Sequence, residues 1–133
     1  MIRVFADTYY FIALLNQKDA GHKKALEWSN SFNGVLVTTE WIFTEVGDAL
    51  AGSQQRSLFC PLRRDLLADN AYQLQPFDEA IYDCGLALYE ARPDKNWSLT
   101  DCISFIVMQD LVLTEALTAD HHFEQAGFVA MLR

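Results

Sequence analysis

Four acidic residues of this 133-residue sequence stand beside strongly apolar segments. Asp7 follows the apolar run IRVFA, Asp101 precedes the run CISFIVM, and Glu45 and Asp120 occupy similar positions in two other segments. Clustered carboxylates repel one another and raise each other's pKa, which destabilises a fold unless a cation shares the site. Mg²⁺ and Mn²⁺ prefer carboxylate oxygens. Four such acids could therefore hold an ion for phosphoryl chemistry, in which a metal activates water and neutralises charge on phosphate oxygens.

Each acid, taken alone, also has a purely structural interpretation. Ser98 and Asp101 match the capping-box pattern of a helix start, where a carboxylate also interacts favourably with the helix dipole. Asp7 could cap the next helix, and Asp120 could lie in a turn. Glu45 fits such an interpretation less well, because another acid three residues later adds like-charge repulsion on the same helix. The pattern alone leaves both interpretations of Asp101 open.

The segments that carry these acids predict alternating strands and helices. Strands are predicted in IRVFAD, GVLVTT, YQLQPF, LVLTEALTA and FVAML. Helices are predicted in TYYFIALLNQ, DAGHKKALEWSNSF, EWIFTEVGDALA, RSLFCPLRRDLLADN, DEAIYDCGLALYEAR and SLTDCISFIVMQD, with one or two turns in HHFEQAG. This order predicts an α/β fold with a mainly parallel central β-sheet flanked by helices. Ligands of such folds bind outside the carboxyl ends of the strands, where the four acids would meet.

Caps and helix breakers predict several boundaries. Thr8 is a candidate N-cap for the first helix. Gly52 is expected to end the third helix and Pro93 the long fifth one. Pro61 requires either a break or a late start in its helical segment.

Length and composition predict one globular domain over residues 1–133, with 51% hydrophobic and 21% charged residues. No apolar run approaches the roughly 20 residues needed to span a bilayer, and the start has no signal-peptide layout, so a cytoplasmic protein with no membrane partner is expected. The net charge of −8 is unfavourable for general nucleic-acid binding. Cys60, Cys84 and Cys102 are predicted to be buried free thiols in helices.

Four segments in order resemble the four acidic motifs of the PIN domain family, in particular the VapC-like ribonuclease toxins of bacterial toxin–antitoxin pairs. The segments are FADTYYFIALL, TTEWIFTEVGDALA, SLTDCISFIVM and LTADHHFEQAGF, and the resemblance covers essentially the whole chain. It implies a PIN-like three-layer sandwich. The metal-binding and catalytic tetrad that it implies is Asp7, Glu45, Asp101 and Asp120, with Thr8 and Ser104 as further catalytic-site residues.

By this resemblance the protein would be a Mg²⁺- or Mn²⁺-dependent endoribonuclease, the toxin of a type II toxin–antitoxin system. A metal-activated water would cleave RNA phosphodiesters and leave 5′-phosphate ends. The implied partners are an RNA substrate and a small antitoxin protein, and a homodimer is compatible with the resemblance. One alternative is a PIN-fold module that binds RNA or protein without cutting. Another is a different Mg²⁺-dependent phosphotransfer enzyme, although DTYY lacks the second aspartate of a D-x-D nucleophile motif.

Several other residues have two interpretations. His121 and His122 could serve a metal or proton transfer, but a turn that leads Phe123 into the core is favoured, and His22 is expected to be structural. Five bases could contact an RNA backbone or could be solvated and paired with Asp65 and Asp69; they are Lys23, Lys24, Arg56, Arg63 and Arg64. Four aromatics are assigned to the core, with an apolar groove for an antitoxin helix as the alternative; they are Tyr9, Tyr10, Trp28 and Trp41.

Overall fold

A computed structural model describes residues 2–133 as one five-stranded sheet with seven α-helices. The strands are β1 (Arg3–Ala6), β2 (Val35–Thr39), β3 (Tyr72–Gln75), β4 (Glu115–Leu117) and β5 (Val129–Ala130). The helices are α1 (Thr8–Leu15), α2 (His22–Ser31), α3 (Glu40–Leu50), α4 (Phe59–Leu67), α5 (Glu79–Ala91), α6 (Leu99–Asp110) and α7 (His121–Gln125), with a 3₁₀ turn at Arg56–Leu58. Within this range, none of the helices is both long and apolar enough to cross a membrane.

The sheet order is β3-β2-β1-β4-β5, and every neighbouring pair is parallel. The predicted α/β class is therefore confirmed. From β1 the chain moves outward through β2 to β3, then crosses back to β4 on the other side of β1. Because crossover connections are right-handed, this reversal places helices on both faces of the sheet. It also creates a topological switch point between β1 and β4, where a ligand crevice is expected at the carboxyl ends of the strands.

The core packs against the central strand, β1, and holds α6 and α7 in place. β1 contributes Phe5, which has no exposed surface. Phe123 of α7 is equally buried, 6.3 Å from Phe5 and 5.0 Å from Phe105 of α6 between ring centroids. This cluster of three rings ties α6 and α7 to β1. The contact between Phe105 and Phe123 is edge-to-face, an arrangement that is geometrically specific.

Most of the boundaries predicted from caps and breakers are confirmed. α3 and α5 each end two residues before the expected breaker, Gly52 and Pro93. Pro61 lies in the first turn of a helix that starts late, where its missing N–H is tolerated. The N-cap prediction for Thr8 is wrong: Asp7 occupies the N-cap position with extended backbone, and Thr8 is the first helical residue.

The cysteine prediction is wrong for two of the three thiols. Cys102 is buried, but Cys60 and Cys84 are exposed. They lie on α4 and α5, helices that are covered on one side only: α4 has no buried residue, and α5 has only Gly85. Apolar neighbours in the sequence did not reveal which face of these helices each thiol occupies.

The aromatic residues divide between core and surface. Tyr10 is fully buried, as predicted, and Trp28 stacks on Phe32 with centroids 4.2 Å apart. Trp41 is only half-buried. Its ring meets that of Phe77 edge-on, and Phe77 is itself 60% exposed. Trp41 therefore belongs to a surface patch, and binding of an antitoxin helix to such a surface stays a prediction.

Replacing Gly85 with alanine is expected to lower the free energy of unfolding. A Cβ at this position would lie 2.5 Å from Cγ1 of Ile103 and 3.3 Å from its Cα, so α5 and α6 would have to move apart. Overpacking of this kind destabilises by about 1–3 kcal/mol, which outweighs the roughly 1 kcal/mol gained in helix propensity. Urea unfolding of Gly85→Ala beside Gly52→Ala, whose Cβ meets nothing within 4 Å, measures the difference. Equal stability of the two variants would contradict the close helix contact.

Candidate metal centre

Asp7 lies at the carboxyl end of β1, inside the crevice between β1 and β4. Its side chain is nearly buried, and its Oδ2 accepts a hydrogen bond of 2.8 Å from the Thr118 hydroxyl just after β4. Burial raises the pKa of Asp7 to about 7, and the negative charges of Asp101 and Glu45 act in the same direction. A carboxylate in a dry pocket among other acids is electrostatically unfavourable, so a positive charge there would stabilise it.

Two threonines at the end of β2 position Glu45. The Thr38 hydroxyl donates a hydrogen bond of 2.9 Å to a main-chain carbonyl of β1, and Thr39 caps α3 by accepting a main-chain N–H at 3.0 Å. The helix therefore starts at the sheet edge, with Glu45 about one turn in. The Thr8 hydroxyl donates a hydrogen bond to Oε1 of Glu45. This contact joins the ends of β1 and β2 across the site.

Asp101 is both a helix cap and a member of the acidic cluster. The Ser98 hydroxyl accepts the Asp101 N–H at 3.0 Å, and Oδ2 of Asp101 accepts the Ser98 N–H at 3.1 Å, which completes the predicted capping box. The side chain is only 12% exposed. Burial raises the pKa of Asp101, and the charge of Asp120 adds to the increase. The two interpretations of this residue are therefore compatible.

Asp120 is held at the start of α7 by main-chain hydrogen bonds. Its Oδ1 accepts the His122 N–H at 2.9 Å, and its own N–H donates to Oγ1 of Thr118 at 3.0 Å. Since the same Thr118 hydroxyl donates to Asp7, one side chain links the two acids. A hydrogen bond of 3.0 Å from Trp97 Nε1 to Oε1 of Gln125 also ties α7 to the loop before α6.

The sequence does not identify Thr118 as a residue of the site, and it favours a structural role for His122. A threonine two residues before an acid at a strand end is, however, a detectable pattern. The prediction that the turn leads Phe123 into the core is confirmed. His122 nevertheless also lies between Asp101 and Asp120, with its Nδ1 3.1 Å from Oδ2 of Asp101 and 3.4 Å from Oδ1 of Asp120.

The ion pairs and hydrogen bonds of the basic side chains lie away from these four acids. In residues 2–133, none of the four forms an ion pair with lysine or arginine. Arg63 pairs with Glu40 through two hydrogen bonds of 3.0 Å, so for this residue the alternative of pairing with Asp65 and Asp69 is not observed. Lys24 donates to the Arg133 carbonyl at 2.9 Å. His22 is structural as expected, with Nδ1 2.7 Å from the Ala13 carbonyl. RNA contacts by the bases stay a prediction.

The arrangement suits a hard divalent cation. Four carboxylates from four separate elements are the donor type that Mg²⁺ and Mn²⁺ prefer while keeping several waters. Among residues 2–133, no three of the four acids bring their oxygens within 4.8 Å of one another, so an ion would be held partly through water or would draw the acids together. Ser104 is one helical turn after Asp101, almost completely buried, and its Oγ has no hydrogen-bond partner within the described part of the chain. An ordered water beside an ion would satisfy such a hydroxyl. Metal binding by the tetrad, and the supporting roles of Thr8 and Ser104, stay predictions.

No family model matches the sequence, and no curated protein matches it. The fold is shared with VapC20 from Mycobacterium tuberculosis, described as a sarcin–ricin loop cleaving toxin, at a TM-score of 0.89 and 22% identity over 98% of this chain and 99% of that one. It is also shared with VapBC2 from Rickettsia felis bound to a DNA fragment from their promoter, at a TM-score of 0.67 and 10% identity over 97% of both chains. A toxin–antitoxin complex from Klebsiella pneumoniae also matches, at a TM-score of 0.58 and 19% identity over 89% of this chain and 87% of that one. The predicted VapC-like PIN fold is confirmed.

Proposed function

We propose that this chain, which has the fold of VapC20 and of other toxin–antitoxin proteins, is a Mg²⁺- or Mn²⁺-dependent endoribonuclease. The observation that carries the proposal is the chain of neighbouring acids at the switch point of the sheet, in which Asp7 lies close enough to Asp101 and Glu45, and Asp101 to Asp120, for their charges to interact. In residues 2–133 no lysine or arginine forms an ion pair with these acids, and burial, aided by the charges of Asp101 and Glu45, raises the pKa of Asp7 to about 7. Such a cluster is stabilised by a cation.

The four acids would hold the ion, which would supply Lewis-acid stabilisation of phosphate oxygens and an activated water. The chain's own residues orient the ligands. Thr118 fixes the rotation of the Asp7 carboxylate, and Thr8 fixes that of Glu45. Burial of Asp7 keeps bulk water away from that side of the crevice, which strengthens every electrostatic interaction inside it.

The toxin assignment rests on the comparison with known proteins. VapC20 is described as a toxin that cleaves the sarcin–ricin loop, and another match is a toxin–antitoxin complex. We therefore propose that the substrate is RNA and that a small antitoxin protein inhibits the site. The homodimer suggested by the sequence resemblance is a further proposal, which sedimentation of the purified protein would test.

Cleavage of a mixed RNA pool by the purified protein tests the proposal. We expect cuts in Mn²⁺ and in Mg²⁺ but none in chelator, with 5′-phosphates on the sequenced product ends. A folded wild type that binds Mn²⁺ and cuts no RNA in the pool would contradict the nuclease. The alternative of a non-cutting binding module would then account for the fold.

A further inference from the structure

One end of the candidate centre contains imidazole groups as well as carboxylates. His122 Nδ1 lies 3.1 Å from Oδ2 of Asp101 and 3.4 Å from Oδ1 of Asp120, and His121 Nδ1 lies 3.7 Å from the same Asp120 oxygen. One ligand atom from each of Asp120, His121 and His122 lies within 4.8 Å of the other two. Among residues 2–133, no other group of three histidine, cysteine, aspartate or glutamate ligand atoms is as compact.

These separations are close to those of ligands around a single small ion. Two donor atoms about 2.1 Å from an ion, at angles near 90–110°, lie roughly 3.0–3.4 Å apart. The His122 and Asp120 atoms are close to this spacing at 3.4 Å, and His121, whose Nδ1 lies 3.7 Å from the same Asp120 oxygen, would have to move slightly closer. Its side chain is 60% exposed and has room to move, whereas that of His122 is 19% exposed. One ligand is thus held in place and the other can close over an ion.

The main chain holds these three residues as a unit. Asp120 caps α7 by accepting the His122 N–H, and the next residue, Phe123, is anchored in the aromatic core. Because the ligands come from three consecutive residues on an anchored turn, little conformational entropy would be lost on binding. The chemistry of the set differs from that of the remaining acids, since imidazole suits zinc and its neighbours, whereas Mg²⁺ takes oxygen ligands.

We propose that Asp120, His121 and His122, with Asp101 beside them, form a binding site for a divalent transition metal ion of the Zn²⁺ type. This inference deepens the proposed function and rests on it in one respect: Asp101 and Asp120 would serve both this site and the magnesium site. The shared ligands make the two ions competitors. Zn²⁺ would then occupy carboxylates on which Mg²⁺-dependent cleavage depends, so the histidines would determine which ions the centre accepts.

The experiment is titration of tag-free protein with Zn²⁺ and, separately, with Mg²⁺, followed by calorimetry. His122→Asn retains a side-chain N–H near the position of Nδ1 but removes the imidazole ligand, and His121→Ala removes an exposed ligand with little effect on packing. We expect each variant to weaken Zn²⁺ binding by about tenfold or more and to change the Mg²⁺ affinity by a much smaller factor, since Mg²⁺ takes oxygen ligands. His22→Asn is the matched control, because His22 contacts the main chain of α1 instead.

Two further variants separate this inference from the proposed function. Asp7→Asn should retain Zn²⁺ binding while losing Mg²⁺-dependent cleavage, since Asp7 is not one of the three clustered ligands. Cys60→Ser/Cys84→Ser should bind Zn²⁺ as the wild type does, which rules out the exposed thiols. Equal Zn²⁺ affinity in the wild type and in both site-histidine variants would overturn the inference, whether or not the protein cleaves RNA. So would loss of Zn²⁺ binding in the cysteine variant.

Discussion

Replacing Asp7 with asparagine is expected to abolish RNA cleavage while making the metal-free protein more stable. The substitution keeps the size of the side chain and leaves an oxygen that can accept the Thr118 hydroxyl, but it removes one anionic ligand. Metal-ion catalysis supplies several kcal/mol of transition-state stabilisation, so the cleavage rate should fall roughly 10³-fold. In chelator at pH 8, loss of a buried charge should raise the free energy of unfolding by about 4 kcal/mol, the full cost of ionising Asp7 in the folded protein.

The two readouts together distinguish a functional acid from a structural one. Single-turnover cleavage in Mg²⁺ gives the rate, and urea unfolding in chelator gives the stability. Asp48→Asn is the matched control, because Asp48 carries the same charge on an exposed face of α3. We expect it to leave both quantities nearly unchanged. An Asp7→Asn protein that unfolds more easily than the wild type would show that this carboxylate stabilises the fold.

The stability of the wild type in chelator is expected to fall as the pH rises from weakly acidic to neutral. The pKa of Asp7 is about 7 in the folded protein and near its ordinary value of 3.8 in the unfolded chain. The folded state therefore holds the proton more tightly. As the pH rises from 3.8 to about 7, the free energy of unfolding decreases, and above pH 7 it levels off. At about 1.4 kcal/mol per pH unit, the contribution of Asp7 between pH 5.5 and pH 8 is a loss of about 2 kcal/mol.

Unfolding of the wild type and of Asp7→Asn over this pH range isolates the contribution. Other groups titrate in both proteins, so the informative quantity is the difference between the two curves. That difference should grow with pH up to about 7 and then stay constant. A constant difference throughout would mean that Asp7 is ionised in the folded protein well below neutrality. Added Mg²⁺ should reduce the wild-type loss, since an ion that binds only the folded state stabilises it.

The strands and helices were largely predictable because their patterns are local. β1 was expected in IRVFAD and spans Arg3–Ala6, and the fifth helix was expected in DEAIYDCGLALYEAR and spans Glu79–Ala91. The capping box at the start of α6 was recognised from two residues three apart. Such signals depend on neighbours along the chain, so a single sequence contains them.

Contacts between distant segments were less predictable. The strand-end rule indicated that the acids would converge, but not that the Thr118 hydroxyl would link Asp7 to Asp120. Nor did the sequence indicate that the His122 ring would lie between Asp101 and Asp120, because that depends on how α7 packs onto the aromatic core. The exposure of Cys60 and Cys84 was missed for the same reason. Which face of α4 or α5 is buried depends on the elements that pack against it, and these are distant in the sequence.

The hydrogen bond between Thr118 and Asp7 joins residues 111 positions apart. Closing so long a loop is entropically unfavourable and is repaid only when most of the intervening chain has folded. The acidic cluster is therefore an outcome of complete folding and cannot be assembled within an early local nucleus. A partly folded chain would lack the crevice, so catalytic competence and the native topology should arise in the same kinetic step.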